Sequence, residues 1–312
     1  MWMIALALLS LSAPLLAPAD EIKPFLTLDA LRAQYGDPDG HLLRIGEIEV
    51  YYKDEGAGPA LLRVHGSVGS LRTYDGVANR LKNRDRVIRY DVPGQGLSGP
   101  VSDDAARRFS PADIPIALLN GLGVAKVTAV GVSSGGTLCI TLAARRPDLV
   151  DRLILANTPS DPVVTSHMNQ PDDFLDAQQQ ARETGFQSQH FWDLFLSFFA
   201  GDPARMTPLI RSQFYDFNRR TPESNAIALV AKVADHDKAV AAMTQVAAPT
   251  LLLWGAKDPL LPPAAAKQLE GYLTRAPVSL LLLPDVGHFP PLEVPERFAD
   301  IVADYIEAVT PP

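Results

Sequence analysis

The sequence predicts an α/β protein: a mostly parallel, twisted sheet flanked by helices, with a helical insertion late in the chain. Three observations carry this. Short apolar runs rich in Val, Leu and Ile alternate with longer runs of helical spacing, the pattern of strands buried on both faces by crossover helices. One β-branched run, Val127-Thr128-Ala129-Val130, passes through the turn Gly131-Val132-Ser133-Ser134-Gly135 straight into a helix-compatible run, Thr137 to Arg145. Residues 158–243 hold no convincing strand but several helical patches.

In chain order, Leu28 to Gln34 reads as a short helix stopped by Gly36 and Pro38. His41 to Ile45 and Ile48 to Tyr52 alternate around Gly46-Glu47 and predict a hairpin. A strand follows at Ala60 to Val64, then a helix near Arg72 to Lys82 and a strand at Val87 to Tyr90. Ser110-Pro111-Ala112-Asp113 predicts a helix start: serine caps, proline suits the first turn, and Asp113 favours the positive end of the dipole. That helix runs to about Leu122. After the helix at 137–145, Val150 to Ala156 is a buried strand. Within the insertion, helical patches lie near Asp172 to Thr184, Ser188 to Ala200, Pro203 to Asn218 and Pro222 to His236. Thr250 to Trp254 and Val278 to Leu283 are the last strands. Pro295 to Ala308 is the closing helix, with Phe298, Ile301, Val302, Tyr305 and Ile306 on one apolar face.

Met1 to Ala19 differs in kind: it is apolar and carries no charged side chain. Ala17-Pro18-Ala19 before Asp20 has the small-x-small pattern of a signal-peptidase site, although the usual positive n-region is missing. The expectation is an export signal and an exported protein, periplasmic or secreted. The alternatives are an uncleaved amino-terminal anchor, or a mis-assigned start or buried helix. Membrane contact is expected only through such an anchor.

The chain has 312 residues, 47% hydrophobic and 21% charged, enough apolar content for a large core. A net charge of −8 without basic clusters argues against a nucleic-acid partner. The single cysteine, Cys139, has no partner for an internal disulfide and reads as a small packing residue.

Strand, tight turn, helix is the context in which G-x-S-x-G forms a nucleophile elbow. The competing reading is a plain glycine-rich β-to-α turn. The order of the remaining motifs favours the elbow. Asp258 lies just past the strand at 250–254, in Gly255-Ala256-Lys257-Asp258. His288 lies after the last strand, in Pro284-Asp285-Val286-Gly287-His288. Upstream, a strand runs into His65-Gly66-Ser67, and Asp91-Val92-Pro93-Gly94-Gln95-Gly96-Leu97-Ser98 follows another.

Together these segments resemble the α/β-hydrolase superfamily over roughly Leu42 to Ala308, in its serine-nucleophile, cap-bearing, esterase- and lipase-like branch. The resemblance implies the α/β-hydrolase fold, with a core of 20–157 and 244–312 and a helical cap of 158–243 after the leader 1–19. It implies a triad of Ser133, His288 and Asp258. Serine needs a base to become nucleophilic, imidazole titrates near neutrality, and a carboxylate holds its tautomer. The amides of Ser67 and Ser134 would form the oxyanion hole, with the Ser134 hydroxyl pointing elsewhere. Gly131 and Gly135 support the elbow, and His65 and Gly66 shape the oxyanion loop. Asp91 is given a structural role, and Asp285, the rival acid, a place in the loop. His41, His167, His190 and His236 have no comparable context.

No cofactor and no metal is expected. The cap is dense in aromatics: Phe186, Phe191, Trp192, Phe195, Phe198, Phe199, Phe214, Tyr215 and Phe217. Most are expected to pack the cap, and the remainder to line an apolar pocket. The substrate expected is a small or medium apolar ester or lactone, cleaved through an acyl-enzyme. Serine at the elbow argues against haloalkane dehalogenases and cap-type epoxide hydrolases, which use aspartate. The same triad also serves perhydrolases or haloperoxidase-like enzymes, carbon–carbon bond hydrolases and proline-type aminopeptidases. The last would need cap acids such as Asp172, Asp173, Asp176 or Glu183. A slow-turnover ligand-binding protein is the alternative outside catalysis. The oligomeric state is left open.

Overall fold

The computed structural model describes residues 25–222 and 228–309. The leader expected at Met1 to Ala19 lies outside the described residues. Helix α1 (Leu28–Tyr35) precedes the hairpin of β1 (Gly40–Ile45) and β2 (Ile48–Glu55). Then come β3 (Ala60–Val64), α2 (Asp75–Leu81), β4 (Arg86–Tyr90), α3 (Asp103–Arg108), α4 (Asp113–Gly121), β5 (Val127–Val132), α5 (Ser134–Arg145) and β6 (Val150–Ala156). The insertion supplies α6 (Asp172–Thr184), α7 (Gln189–Phe199), α8 (Pro208–Asn218), α9 (Ala228–Ala231) and α10 (His236–Met243). The chain closes with β7 (Thr250–Gly255), α11 (Pro263–Tyr272), β8 (Val278–Leu283), α12 (Pro290–Glu293) and α13 (Pro295–Ala308).

The strands form one eight-stranded sheet in the order β1-β2-β4-β3-β5-β6-β7-β8. β2 pairs antiparallel with β1 and β4, and every later pair is parallel. The central strand β5 is buried at all six positions, as a strand covered on both faces must be. Its alternate residues feed opposite layers. Val127 and Ala129 pack with Leu138 and Leu142 of α5 on one face. Val130 and Val132 pack with Val77 of α2 and Phe298 and Val302 of α13 on the other. Strand direction and order therefore bring the carboxyl ends of β3, β5, β6 and β7 to one rim, where α/β sheets carry their sites.

Three local expectations are revised. Ser110 does not cap the following helix. The roles are reversed: the Asp113 carboxylate accepts the Ser110 N–H at 2.6 Å and α4 begins at Asp113 itself. The patch at Pro203 to Asn218 is two pieces. Thr207 caps α8 with Pro208 in its first turn, and proline cannot continue the 3₁₀ turn of Pro203–Arg205. The insertion at 158–243 is also of two kinds. Helices α6 to α8 build an aromatic cluster of their own with Phe289. Leu229, Val233, Ala239 and Met243, from α9 to α10, instead join the core layer around α5.

Candidate active site

The turn between β5 and α5 holds Ser133 at φ 54° and ψ −130°, a conformation rarely taken by a residue with a side chain. The surrounding packing fixes it. A Cβ on Gly135 would run into the carbonyl oxygens of Val64 and His65, and one on Gly131 into Gly135. The elbow helix thus sits directly on β5 and the end of β3, and only glycine allows that approach. Gly66 is equally confined: a Cβ there would lie 2.9 Å from that of Ser133. The serine is half-buried and opens the first turn of α5, whose leading N–H groups have no preceding helical turn to bond.

His288 and Asp258 are each only 4% exposed. The His288 Nδ1 lies 2.7 Å from Asp258 Oδ2. The other carboxylate oxygen, Oδ1, accepts the Leu260 N–H at 2.8 Å. Asn157, just past β6, donates from Nδ2 to Asp258 Oδ2 at 2.8 Å and accepts the Gly255 N–H at 2.9 Å. Its φ is 39°, a region that asparagine tolerates better than other side chains. The sequence reading does not single out Asn157, although a signal exists: an asparagine at the carboxyl end of a parallel strand, beside the acid-bearing strand.

The histidine loop is fastened to the helical insertion. The His288 N–H donates to the Phe199 carbonyl at 2.8 Å. Glu293, also absent from the sequence reading, accepts the Gly287 N–H and the Gly201 N–H, both at 2.8 Å, with its two oxygens. Burial pushes its carboxyl above the ordinary range, against the pull of those amides and of Arg205. Asp285 lies outside this arrangement. Its carboxylate meets Arg297 and Arg205, whose hydrogen bonds hold it down at about 2.

On the opposite side, the Ser67 and Ser134 hydroxyls are 2.9 Å apart. The expectation that Ser134 turns its hydroxyl elsewhere is not met: it ties the two expected oxyanion residues together. Beneath them His65 is fully buried. Its Nε2 accepts the Val92 N–H at 2.9 Å, so Nδ1 carries the proton and donates to the Gly66 carbonyl at 2.8 Å. Burial drives its pKa down to about 4. A neutral ring makes no ion pair with Asp91, 4.0 Å away. Asp91 braces the neighbouring turn, accepting the Leu71 and Leu97 N–H groups at 2.6 and 2.7 Å. Burial drives its own carboxyl up to about 6.

Aromatic rings close over the histidine. Phe289 and Phe199 have centroids 4.8 and 5.7 Å from the imidazole, and Phe195 packs on Phe199 at 4.7 Å. Asp172, Asp173, Asp176 and Glu183 all lie on the solvent side of α6. Among the described residues no group of side chains is placed to hold a metal, and no helix is long and apolar enough to cross a membrane.

Ser133 on a strained strand-to-helix turn, and His288 bonded to Asp258, follow strands of one sheet. The chain belongs to the alpha/beta hydrolase fold family, whose model matches residues 59–295. It is 28% identical over 255 residues to the pimeloyl-[acyl-carrier protein] methyl ester esterase of Nitrosomonas europaea, covering 80% of this chain and 96% of that protein. It is 26% identical over 263 residues to 2-hydroxymuconate semialdehyde hydrolase of a Pseudomonas species, covering 81% and 88%. Among solved structures, a meta-cleavage product hydrolase from Pseudomonas fluorescens superposes with a TM-score of 0.71 at 20% identity, covering 87% of this chain and 98% of that one.

Proposed function

We propose that this hydrolase cleaves small to medium apolar carboxylic esters or lactones through an acyl-enzyme formed on Ser133. The observation that carries the reading is the 2.7 Å contact of His288 Nδ1 with Asp258, across the rim from the strained serine. With Nδ1–H directed to Asp258, Nε2 is the basic nitrogen. It takes the Ser133 proton as Oγ bonds to the ester carbonyl carbon. The carbonyl electrons move onto oxygen, where the Ser67 and Ser134 amides receive the charge. Collapse expels the alkoxide, which takes the proton from His288. Water, deprotonated by the same histidine, adds to the acyl carbon; the bond to Oγ breaks, Oγ takes the proton back from His288, and the acid leaves.

The rings of Phe195, Phe199 and Phe289 near the histidine favour an uncharged substrate. The esterase name of the Nitrosomonas relative agrees with ester chemistry. The solvent-facing acids of α6 speak against capture of a free amine by the cap. Hydrolysis of p-nitrophenyl esters from acetate to laurate, beside Ser133→Ala, tests the reading. A maximum at one chain length that vanishes in the variant is expected. Folded protein with no ester turnover would sink it and direct the search to substrates such as 2-hydroxymuconate semialdehyde, named for another relative.

A further inference from the structure

One edge of the sheet is open and uncharged. Among the described residues, β8 pairs only with β7, residue for residue and without a bulge. Its sequence, Val278-Ser279-Leu280-Leu281-Leu282-Leu283, holds no charge and no proline. Leu281 and Leu282 are 39% and 42% exposed, on opposite faces, as neighbours in a strand must be. Sheet edges are ordinarily blunted by charge, proline or a bulge, because their free N–H and C=O groups invite another strand. The far edge, β1, carries Arg44 with its side chain 71% exposed. No such guard stands on β8.

The backbone dictates what fits there. The Thr250 N–H donates to the Pro277 carbonyl and the Ala256 N–H to the Leu283 carbonyl, both at 2.9 Å. The alternation between them turns the peptide groups of Ser279 and Leu281 toward β7, and those of Val278, Leu280 and Leu282 outward. A second, antiparallel β8 has one register in which these outward residues pair only among themselves. Leu280 then lies opposite Leu280 of the second copy, and Val278 opposite Leu282. That register is symmetric about a two-fold axis, and each pair exchanges both N–H···O=C bonds. It also brings Arg275, ahead of the strand, toward Asp285, beyond the strand, in the second copy. Arg275 is exposed and bonds the neutral Gln245 at 2.9 Å. Asp285 holds Arg205 and Arg297 and is still 39% exposed. The apolar centre thus meets an apolar centre, and each cationic entry faces an anionic carboxylate.

We propose that β8 is a self-association edge, through which two copies of this chain join their sheets into one continuous sheet. The inference is independent of the esterase reading.

Sedimentation of the full chain at about 1 to 100 μM should show a monomer–dimer equilibrium within that range, because a lone strand pair buries less than a standard interface. Leu280→Pro removes an outward N–H, and edge strands tolerate proline where that N–H faces solvent. It should weaken the dimer about tenfold or more while circular dichroism stays that of wild type. If Leu280→Pro does not fold, Leu282→Lys, which charges the exposed edge, is read in the same way. Leu280→Cys reports the register. Mild oxidation should link two copies at the axis, where paired Cα atoms lie about 5.5 Å apart. Val278→Cys, which faces Leu282 of the second copy, should not link, and buried Cys139 does not compete. Wild type that stays monomeric across the range overturns the proposal. So does a dimer indifferent to the edge variants, or cross-linking that does not single out Leu280→Cys.

Discussion

Asn157 and Asp258 are joined by a 2.8 Å hydrogen bond to the same carboxylate oxygen that His288 contacts. The acid is therefore oriented from β6 as well as from its own loop. Asn157→Gly keeps the backbone at positive φ and removes only the amide. It should cost about 1–3 kcal/mol of stability, because the buried Gly255 N–H and one carboxylate lone pair lose their partner. Ester turnover should fall about tenfold or more as the carboxylate loosens around the imidazole. Denaturant unfolding and kcat measured together check this. Full kcat at reduced stability would mean that the Leu260 amide orients Asp258 alone.

Glu293 bridges Gly287 and Gly201, one residue before His288 and two after Phe199. Glu293→Gln keeps the shape but turns an NH₂ toward one of two N–H donors, so one bond is lost. A drop of about 1–3 kcal/mol is expected, together with lower kcat, because the His288 N–H itself bonds the Phe199 carbonyl in that clamp. Amide hydrogen exchange at Gly287 and Gly201 separates this from general loosening. Protection should fall there and persist at the central strand β5.

The parallel sheet was legible because its strands are short apolar runs whose period and order leave little choice. The serine turn was legible because a tight turn at a strand end restricts residue type: Gly135 admits no Cβ against Val64 and His65. What escaped was long-range polar pairing. Asn157 meets Asp258 across 101 residues, Glu293 meets Gly201 across 92, and Asn218 meets Val68 across 150. Each forms only once segments far apart in the chain have packed together, so neighbouring residues give little sign of it. Helices α3 and α11 escaped for a different reason: one is six residues long and the other starts at Pro263 directly after Pro262, a pair that reads as a turn.

Gly135→Ala tests how rigidly the elbow is packed. The added methyl meets backbone carbonyls, which cannot rotate away as a side chain could. A loss of about 3 kcal/mol or more is expected, visible as a fall in thermal midpoint. Ester turnover per folded molecule should collapse as well, since Ser133 shares the turn. A variant as stable as wild type would mean that α5 shifts as a unit to make room.

His65 gives the site a defined sensitivity to acid. Its pKa in the fold is about 4, below the ordinary histidine value of 6.5, because burial disfavours the imidazolium. A depressed pKa contributes stability that is present above 6.5 and is lost as pH falls from 6.5 toward 4, where the unfolded chain binds the proton first. Asp91, raised to about 6 by burial, acts with the opposite sign: its contribution is present below the ordinary carboxylate range and is lost as pH rises toward 6. The two oppose one another in wild type, so total stability is a poor readout. The difference between wild type and His65→Gln cancels Asp91, which both carry. That difference should shrink by about 2 kcal/mol between about pH 7 and about pH 5. Denaturant melts of the two proteins across that range check it. A difference that does not change with pH would mean that the His65 ring takes up its proton as readily in the fold as in the unfolded chain, and that the Val92 N–H does not hold Nε2 unprotonated.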